Sequence, residues 1–235
     1  MATVILVRHG RTTANASGVL AGRTAGVRLD GVGRAQAART AERLSVVPLA
    51  AVVSSPLERC RQTARAILER QDGTPPAPTE RGITECDYGD WQGRTLTDLA
   101  KEPLWATVQS QPSAVVFPGG ESMAAMQARS VSAIRRLDAA IEAQHGAAAV
   151  WVAVSHGDII KSILADALGM HLDLFQRISV SPASVSIIRY GAHRPDVIAT
   201  NTDSGDLSWM RQVAPAGDAP VGGGAGTQAP PPPRS

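Results

Sequence analysis

Four apolar residues, Val4-Ile5-Leu6-Val7, stand near the start of the chain and read as a short buried strand. The run delivers Arg8, His9 and Gly10 to its C-terminal end. Far along the chain, Val150-Trp151-Val152-Ala153-Val154 repeats the pattern and delivers Ser155-His156-Gly157-Asp158. Two strands that each end in His-Gly predict two imidazoles meeting at one edge of a sheet.

Between and after these runs the pattern alternates helix and strand. Asp30 is placed to cap a helix over about 31–44, with Val32, Ala35, Ala38, Ala41 and Leu44 on its apolar face. Leu49 to Val53 reads as a strand that runs into Ser54-Ser55-Pro56-Leu57-Glu58-Arg59. Ser55 suits an N-cap and Pro56 a first helical position, which predicts a helix from there to about Arg70. Arg81 to Thr84 reads as a short extended stretch. Residues 86–120 are polar and punctuated by glycine and proline, with a short helix expected near 96–106, and suit a loop excursion over a site. Met123, Met126, Val131, Ile134, Leu137 and Ile141 recur at helical spacing, predicting a long helix over about 122–144. An apolar helix is expected over 159–168, and the stretches 184–190 and 196–200 read as a late hairpin. Strands alternating with helices over mostly long connections predict an α/β fold with a largely parallel sheet.

The 235 residues suit one domain, and 43% hydrophobic content suits a globular chain. No apolar stretch reaches the length of a membrane span, and no secretory signal pattern is visible, so a cytoplasmic location is expected with no membrane partner. A formal net charge of +2 with interspersed signs does not suggest a nucleic-acid partner. Cys60 and Cys86 fit neither a zinc site nor a redox pair; buried thiols are the expectation, with a reversible disulfide as the alternative. From about residue 211 the chain has few large apolar residues, with a Gly222-Gly223-Gly224 run and Pro230 to Pro233. This predicts a catalytic domain over 1–210 and a disordered tail over 211–235.

In open α/β sheets ligands sit beyond the C-terminal strand ends. Arg8, His9, Arg59 and His156 all fall at that predicted edge, and Glu85 is placed to join them. Two arginines, two histidines and one carboxylate suit phosphoryl transfer without a metal. Fixed donors lower the barrier by stabilising charge on the equatorial oxygens. A neutral His9 can attack phosphorus, His156 can donate to the phosphoryl oxygens, and a protonated Glu85 can supply the leaving group with its proton. No phosphate loop, dinucleotide fingerprint, zinc motif or nucleophile elbow is present.

The chain resembles the histidine phosphatase superfamily, which contains the cofactor-dependent phosphoglycerate mutases, over about residues 3–200. The resemblance is carried by Arg8-His9-Gly10 with Thr12 and Asn15, and by Leu29-Asp30 with Gly33, Gln36 and Ala37. Ser54-Ser55-Pro56-Leu57 with Arg59 and Gln62-Thr63-Ala64 adds to it, as do Glu85 with Gly89, Trp91 and Gly93, and Ser155-His156-Gly157. It implies a three-layer α/β/α sandwich with a mostly parallel central sheet. It also implies a phosphorylated His9, a phosphate pocket of Arg8, Arg59 and His156 assisted by Asn15 and the Gly157 backbone, and Glu85 as proton donor. No metal and no cofactor are implied. Arg11 stands where the family often has Glu or Gln, and its charge is expected to favour a strongly anionic substrate. The stretch from Glu85 to Gly93 resembles the phosphatase branch. The expected activity is hydrolysis of small-molecule phosphate monoesters through a phosphohistidine. A phosphomutase is the alternative, and an idle phospho-ligand binding module is a third reading. A homo-oligomer is compatible with the sequence.

Overall fold

The computed structural model describes residues 2–191, 193–203, 205 and 218–224. Its centre is a five-stranded sheet of β1 (Thr3–Arg8), β2 (Val52–Ser54), β3 (Val150–Ser155), β4 (Val185–Tyr190) and β5 (Pro195–Thr202), in the order β2-β3-β1-β4-β5. The β1–β3 and β2–β3 pairs are parallel, whereas β1–β4 and β4–β5 are antiparallel. The sheet is therefore mixed: only the half nearest the predicted site is purely parallel. The short link between β4 and β5 permits only an antiparallel return, as the hairpin reading expected.

Alternation along β1 splits the core in two. Ile5 and Val7 pack with Ala41, Cys60, Ala64 and Ile67 of helices α2 (Gly31–Leu44) and α3 (Glu58–Leu68), which cover one face. Val4 and Leu6 join the cluster holding Met126, Ile134, Ile160 and Ile163 of α6 (Met123–His145) and α7 (Gly157–Ala167) on the other. The result is the expected α/β/α sandwich. The remaining helices are short: α1 (Thr13–Ala16) follows β1, and α4 (Leu96–Leu99) and α5 (Pro103–Ser110) lie in the excursion.

Local chemistry sets most boundaries. Asp30 Oδ1 accepts from Gly33 N at 2.7 Å, capping α2 as expected. Ser122 caps α6 by accepting from Ala125 N at 3.1 Å, and Gly146, at φ +86°, ends that helix. Four expectations need correction. Helix α3 starts at Glu58, with Leu57 as a cap that makes no side-chain bond, because the Ser55 hydroxyl is engaged by His156 instead. Arg81–Ile83 is a 3₁₀ turn rather than an extended stretch, its first N–H groups capped by Glu80 through Gly82 N. The helix near 96–106 is two helices, with Pro103 in the first turn of the second. Also, α7 begins at Gly157, directly after the histidine.

Register places the site. Arg8 pairs with Ser155, and Ser54 with Val154, so three parallel strands end level. His9 N then donates to Ser155 O at 3.0 Å and Ser55 N to Val154 O at 2.9 Å. Beyond them the His9-Gly10-Arg11 turn presses on the first turn of α2. A Cβ on Gly10 would strike the Gly33 carbonyl, and a Cβ on Gly33 would strike the Arg11 backbone. Gly33→Ala is therefore expected to cost about 2–3 kcal/mol in denaturant unfolding. Gly73→Ala, with nothing within 4 Å, should stay within about 0.5 kcal/mol. Equal stabilities for the two variants would contradict this packing.

Candidate active site

His9, Arg59, Glu85 and His156 are brought together, each no more than 3% exposed. The two imidazole centroids lie 5.3 Å apart at an interplanar angle of 64°. The Arg59 guanidinium, in the first turn of α3, joins them. Its Nε donates to His9 Nε2 at 3.2 Å, and its Nη2 lies 3.1 Å from His156 Nδ1 and donates to Gly22 O at 2.7 Å.

These partners fix the tautomers. His9 Nδ1 lies 2.7 Å from the Gly10 carbonyl, which can only accept, so Nδ1 carries the proton and Nε2 offers its lone pair. A guanidinium can only donate, so His156 Nδ1 accepts and Nε2–H faces Ser55 Oγ at 2.8 Å. Burial, followed by the charges of Arg59 and Arg8, holds His9 well below the ordinary imidazole range. Burial and Arg59 do the same to His156. Both rings are neutral at physiological pH.

Glu85 has the opposite bias. Its Oε1 accepts from Cys86 N at 3.0 Å, and its Oε2 stands 3.9 Å from His156 Nδ1. Burial first, and then the negative charge of Asp158, push its carboxyl up to about 7. Asp158, in the first turn of α7, is fully buried and accepts from Tyr88 Oη at 2.7 Å. Its Oδ1 makes no hydrogen bond and lies 3.9 Å from Lys161 Nζ.

Asn15 lines the pocket, with Oδ1 held by Thr12 N and Thr12 Oγ1 in the capping box of α1. Arg8 and Gly157 lie differently from expectation. Both sit under a chain segment, 218–224, that falls inside the tail predicted to be disordered. Arg8 Nη1 donates to Gly223 O at 2.5 Å and to Val180 O at 2.8 Å, and Nη2 donates to Gly224 O at 2.6 Å. Burial lowers the Arg8 pKa to about 10, which leaves it charged. Gly157 packs against Gly222 and Gly223. The rest of the predicted tail, 211–217 and 225–235, lies outside the described residues.

One further expectation is corrected. Arg11 does not line the pocket; its Nε pairs with Asp30 Oδ2 at 2.8 Å, so its charge is already matched. Cys60 and Cys86 are buried free thiols, as expected. Burial pushes Cys60 up to about 12, while its Sγ rests 3.4 Å from His156 Nε2.

Sequence reasoning missed Ser55 as a partner of His156, and missed Arg23, Glu121 and Arg129. Arg23 Nε and Arg129 Nη2 both donate to the Glu85 carbonyl, at 2.9 and 3.2 Å. Glu121 Oε1 then ties Arg23, Arg129 and Asp87 N together. Only contact across the fold distinguishes these residues from ordinary surface charges.

Comparison with known proteins places the chain in a family. The family model for the histidine phosphatase superfamily (branch 1) matches residues 4–203, and the chain belongs to that superfamily. The adenosylcobalamin/alpha-ribazole phosphatase of Salmonella typhimurium is 33% identical over 171 residues, covering 70% of this chain and 79% of its own length. The 2,3-bisphosphoglycerate-dependent phosphoglycerate mutase 2 of Gloeobacter violaceus is 31% identical over 170 residues, covering 71% and 75%. Among solved structures, Bacillus stearothermophilus YhfR superposes with a TM-score of 0.76 at 26% identity, covering 88% of this chain and 98% of that one. No helix among the described residues is long and apolar enough to cross a membrane.

The raised Glu85 pKa has a thermodynamic signature. In the unfolded chain the carboxyl ionises near 4.5, while in the fold it stays protonated to about 7. Stability from the neutral buried carboxyl is complete below 4.5 and is lost as pH rises to about 7, by about 3 kcal/mol. Unfolding measured across this window should show the wild type losing stability relative to Glu85→Gln. Parallel pH profiles for the two proteins would contradict the shift.

Proposed function

We propose that the chain is a phosphatase of small-molecule phosphate monoesters that works through a phosphohistidine on His9 without a metal. The observation that carries this reading is the Arg59 guanidinium bonded to both His9 Nε2 and His156 Nδ1, with the Glu85 carboxyl 3.9 Å from that same nitrogen. A nucleophile, a fixed cation and a neutral acid converge on one point.

The steps balance with these groups alone. The His9 Nε2 lone pair attacks phosphorus, and the P–O bond to the leaving group breaks. Glu85 gives its proton to the departing alkoxide. The resulting carboxylate then takes a proton from water as that water attacks the phosphohistidine, releasing inorganic phosphate and restoring both residues. Arg59 swings its donors from the imidazoles to the phosphoryl oxygens, where charge spreads in the transition state. Ser55 allows His156 to follow. A hydroxyl both donates and accepts, so once Arg59 withdraws and the ring's single proton has exchanged through water from Nε2 to Nδ1, Ser55 donates to Nε2 and Nδ1–H faces the phosphoryl group.

The pocket wall beside His9 supports a leaving group with little charge. Val19, Leu20, Ala21 and Leu96 line it, and its charged side chains are Arg59 and Glu85. A phosphomutase would share the first half-reaction and pass the phosphoryl group to a second hydroxyl. The resemblance to a named mutase keeps this reading, and incubation with 3-phosphoglycerate and a bisphosphorylated primer separates the two. Phosphate release favours the phosphatase; isomerisation without it favours the mutase.

Hydrolysis of an aryl phosphate with an alkyl phosphate as comparison provides the test. His9→Ala should lower kcat/KM by roughly 10⁴-fold or more. Alkyl phosphate turnover, which needs the proton, should fall as pH rises through about 7, where Glu85 ionises. Asp158→Asn should move that alkaline limb to lower pH by removing a charge that keeps Glu85 protonated. Activity surviving in His9→Ala would sink the phosphohistidine; an unmoved limb in Asp158→Asn would sink the assignment of Glu85 as the acid.

A further inference from the structure

The C-terminal segment Asp218–Gly224 lies across the site as a bonded structure, not as a loose tail. Three consecutive carbonyls, of Gly222, Gly223 and Gly224, face one guanidinium: Arg8 Nη2 to Gly222 O at 3.4 Å and Gly224 O at 2.6 Å, and Nη1 to Gly223 O at 2.5 Å. The three residues have φ of +74°, +81° and +56°, a conformation that side chains resist, so the Gly-Gly-Gly run is what allows this clasp. Gly222 N donates to Asp158 Oδ2 at 3.0 Å. Val221 is 2% exposed and joins the main core cluster. The segment is anchored away from the chemistry on α5, where Trp105 Nε1 donates to Asp218 Oδ2 at 2.8 Å and Gln109 exchanges two bonds of 2.9 Å with the Ala219 backbone.

We infer that residues 218–224 are an intramolecular strap that occupies the phosphate-binding donors of Arg8 and closes the pocket until a phosphorylated ligand displaces it. The inference rests on the phosphate pocket proposed above. Val221, Gly222 and Gly224 form part of the wall of the cavity beside His9, so the segment narrows that cavity; about 20 Å³ is left there for the centre of a water molecule. The two Arg8 nitrogens that would grip a phosphate bidentately are both held by carbonyls. Carbonyl dipoles are weaker partners for a guanidinium than phosphate oxygens, so a dianion can win the exchange. Ligand affinity is then multiplied by the fraction of molecules with the strap released. A glycine-rich strap suits this role: toward Arg8 it holds by backbone carbonyls alone.

The experiment is calorimetric binding of inorganic phosphate to the full chain, to a chain ending at Gly217, and to the full chain carrying Gln109→Ala with Asp218→Ala. The double variant loosens the anchor and leaves Val221 and every pocket residue in place. The truncated chain is expected to bind phosphate about tenfold tighter or better, with the double variant between it and the full chain. If removal of Val221 prevents the truncated chain from folding, the double variant decides. Equal or weaker binding in the variants that fold, or no phosphate binding by any form, overturns the strap. Tighter binding without hydrolysis of the aryl phosphate by any form supports the strap and rejects the phosphatase reading alone.

Discussion

The site depends on one constraint: a single buried guanidinium, Arg59, must satisfy two imidazoles at once. Burying a cation without a carboxylate against it is costly unless its donors are placed on good acceptors. Here the acceptors are His9 Nε2, His156 Nδ1 and the Gly22 carbonyl. Burial first, and the cation second, disfavour protonation of either ring, since a second positive charge in the same dry volume would be poorly solvated and repelled. His9 is thus kept neutral by burial together with the same group that, in the proposed reaction, would stabilise the transition state. That coupling requires three strands to end level, which the parallel register of β1, β2 and β3 provides.

A second charge balance runs beside the first. Glu85 and Asp158 are buried carboxyls, and burial together with the negative charge of Asp158 raises the Glu85 pKa. Asp158 accepts from Tyr88 Oη, whereas among the described residues the Glu85 carboxyl accepts only from Cys86 N. Arg23 and Arg129 grip the Glu85 carbonyl rather than its carboxyl. They fix the position of the acid with limited effect on its charge, and they are themselves matched by Glu121. Positive charge is therefore confined to Arg8 and Arg59 where the substrate would bind.

Much of this was legible in the sequence because strands are local. A run such as Val4–Val7 or Val150–Val154 announces both its element and what stands at its end, so His9 and His156 could be paired across nearly the whole chain. Asp30, Ser122 and Gly146 likewise declare helix ends through their own chemistry. Ser55 was misread for the same reason that makes local rules useful: serine before proline is a good cap, and only the fold shows a stronger partner 2.8 Å away. Arg11 was misread because its charge is visible in sequence while its pairing with Asp30 is not. The segment 218–224 was hidden by composition. Glycine runs usually signify disorder, and here a single buried Val221 and one guanidinium give three glycines a defined place.

Nitrogen NMR of the histidine rings tests the central claim most directly, since it reads protonation and tautomer without substrate. His9 is expected as a neutral ring with the proton on Nδ1 and a bare Nε2, persisting below pH 6.5, and Arg59→Met is expected to raise the pH at which that ring protonates. A His9 ring that is protonated at pH 6.5, or that carries its proton on Nε2, would contradict it.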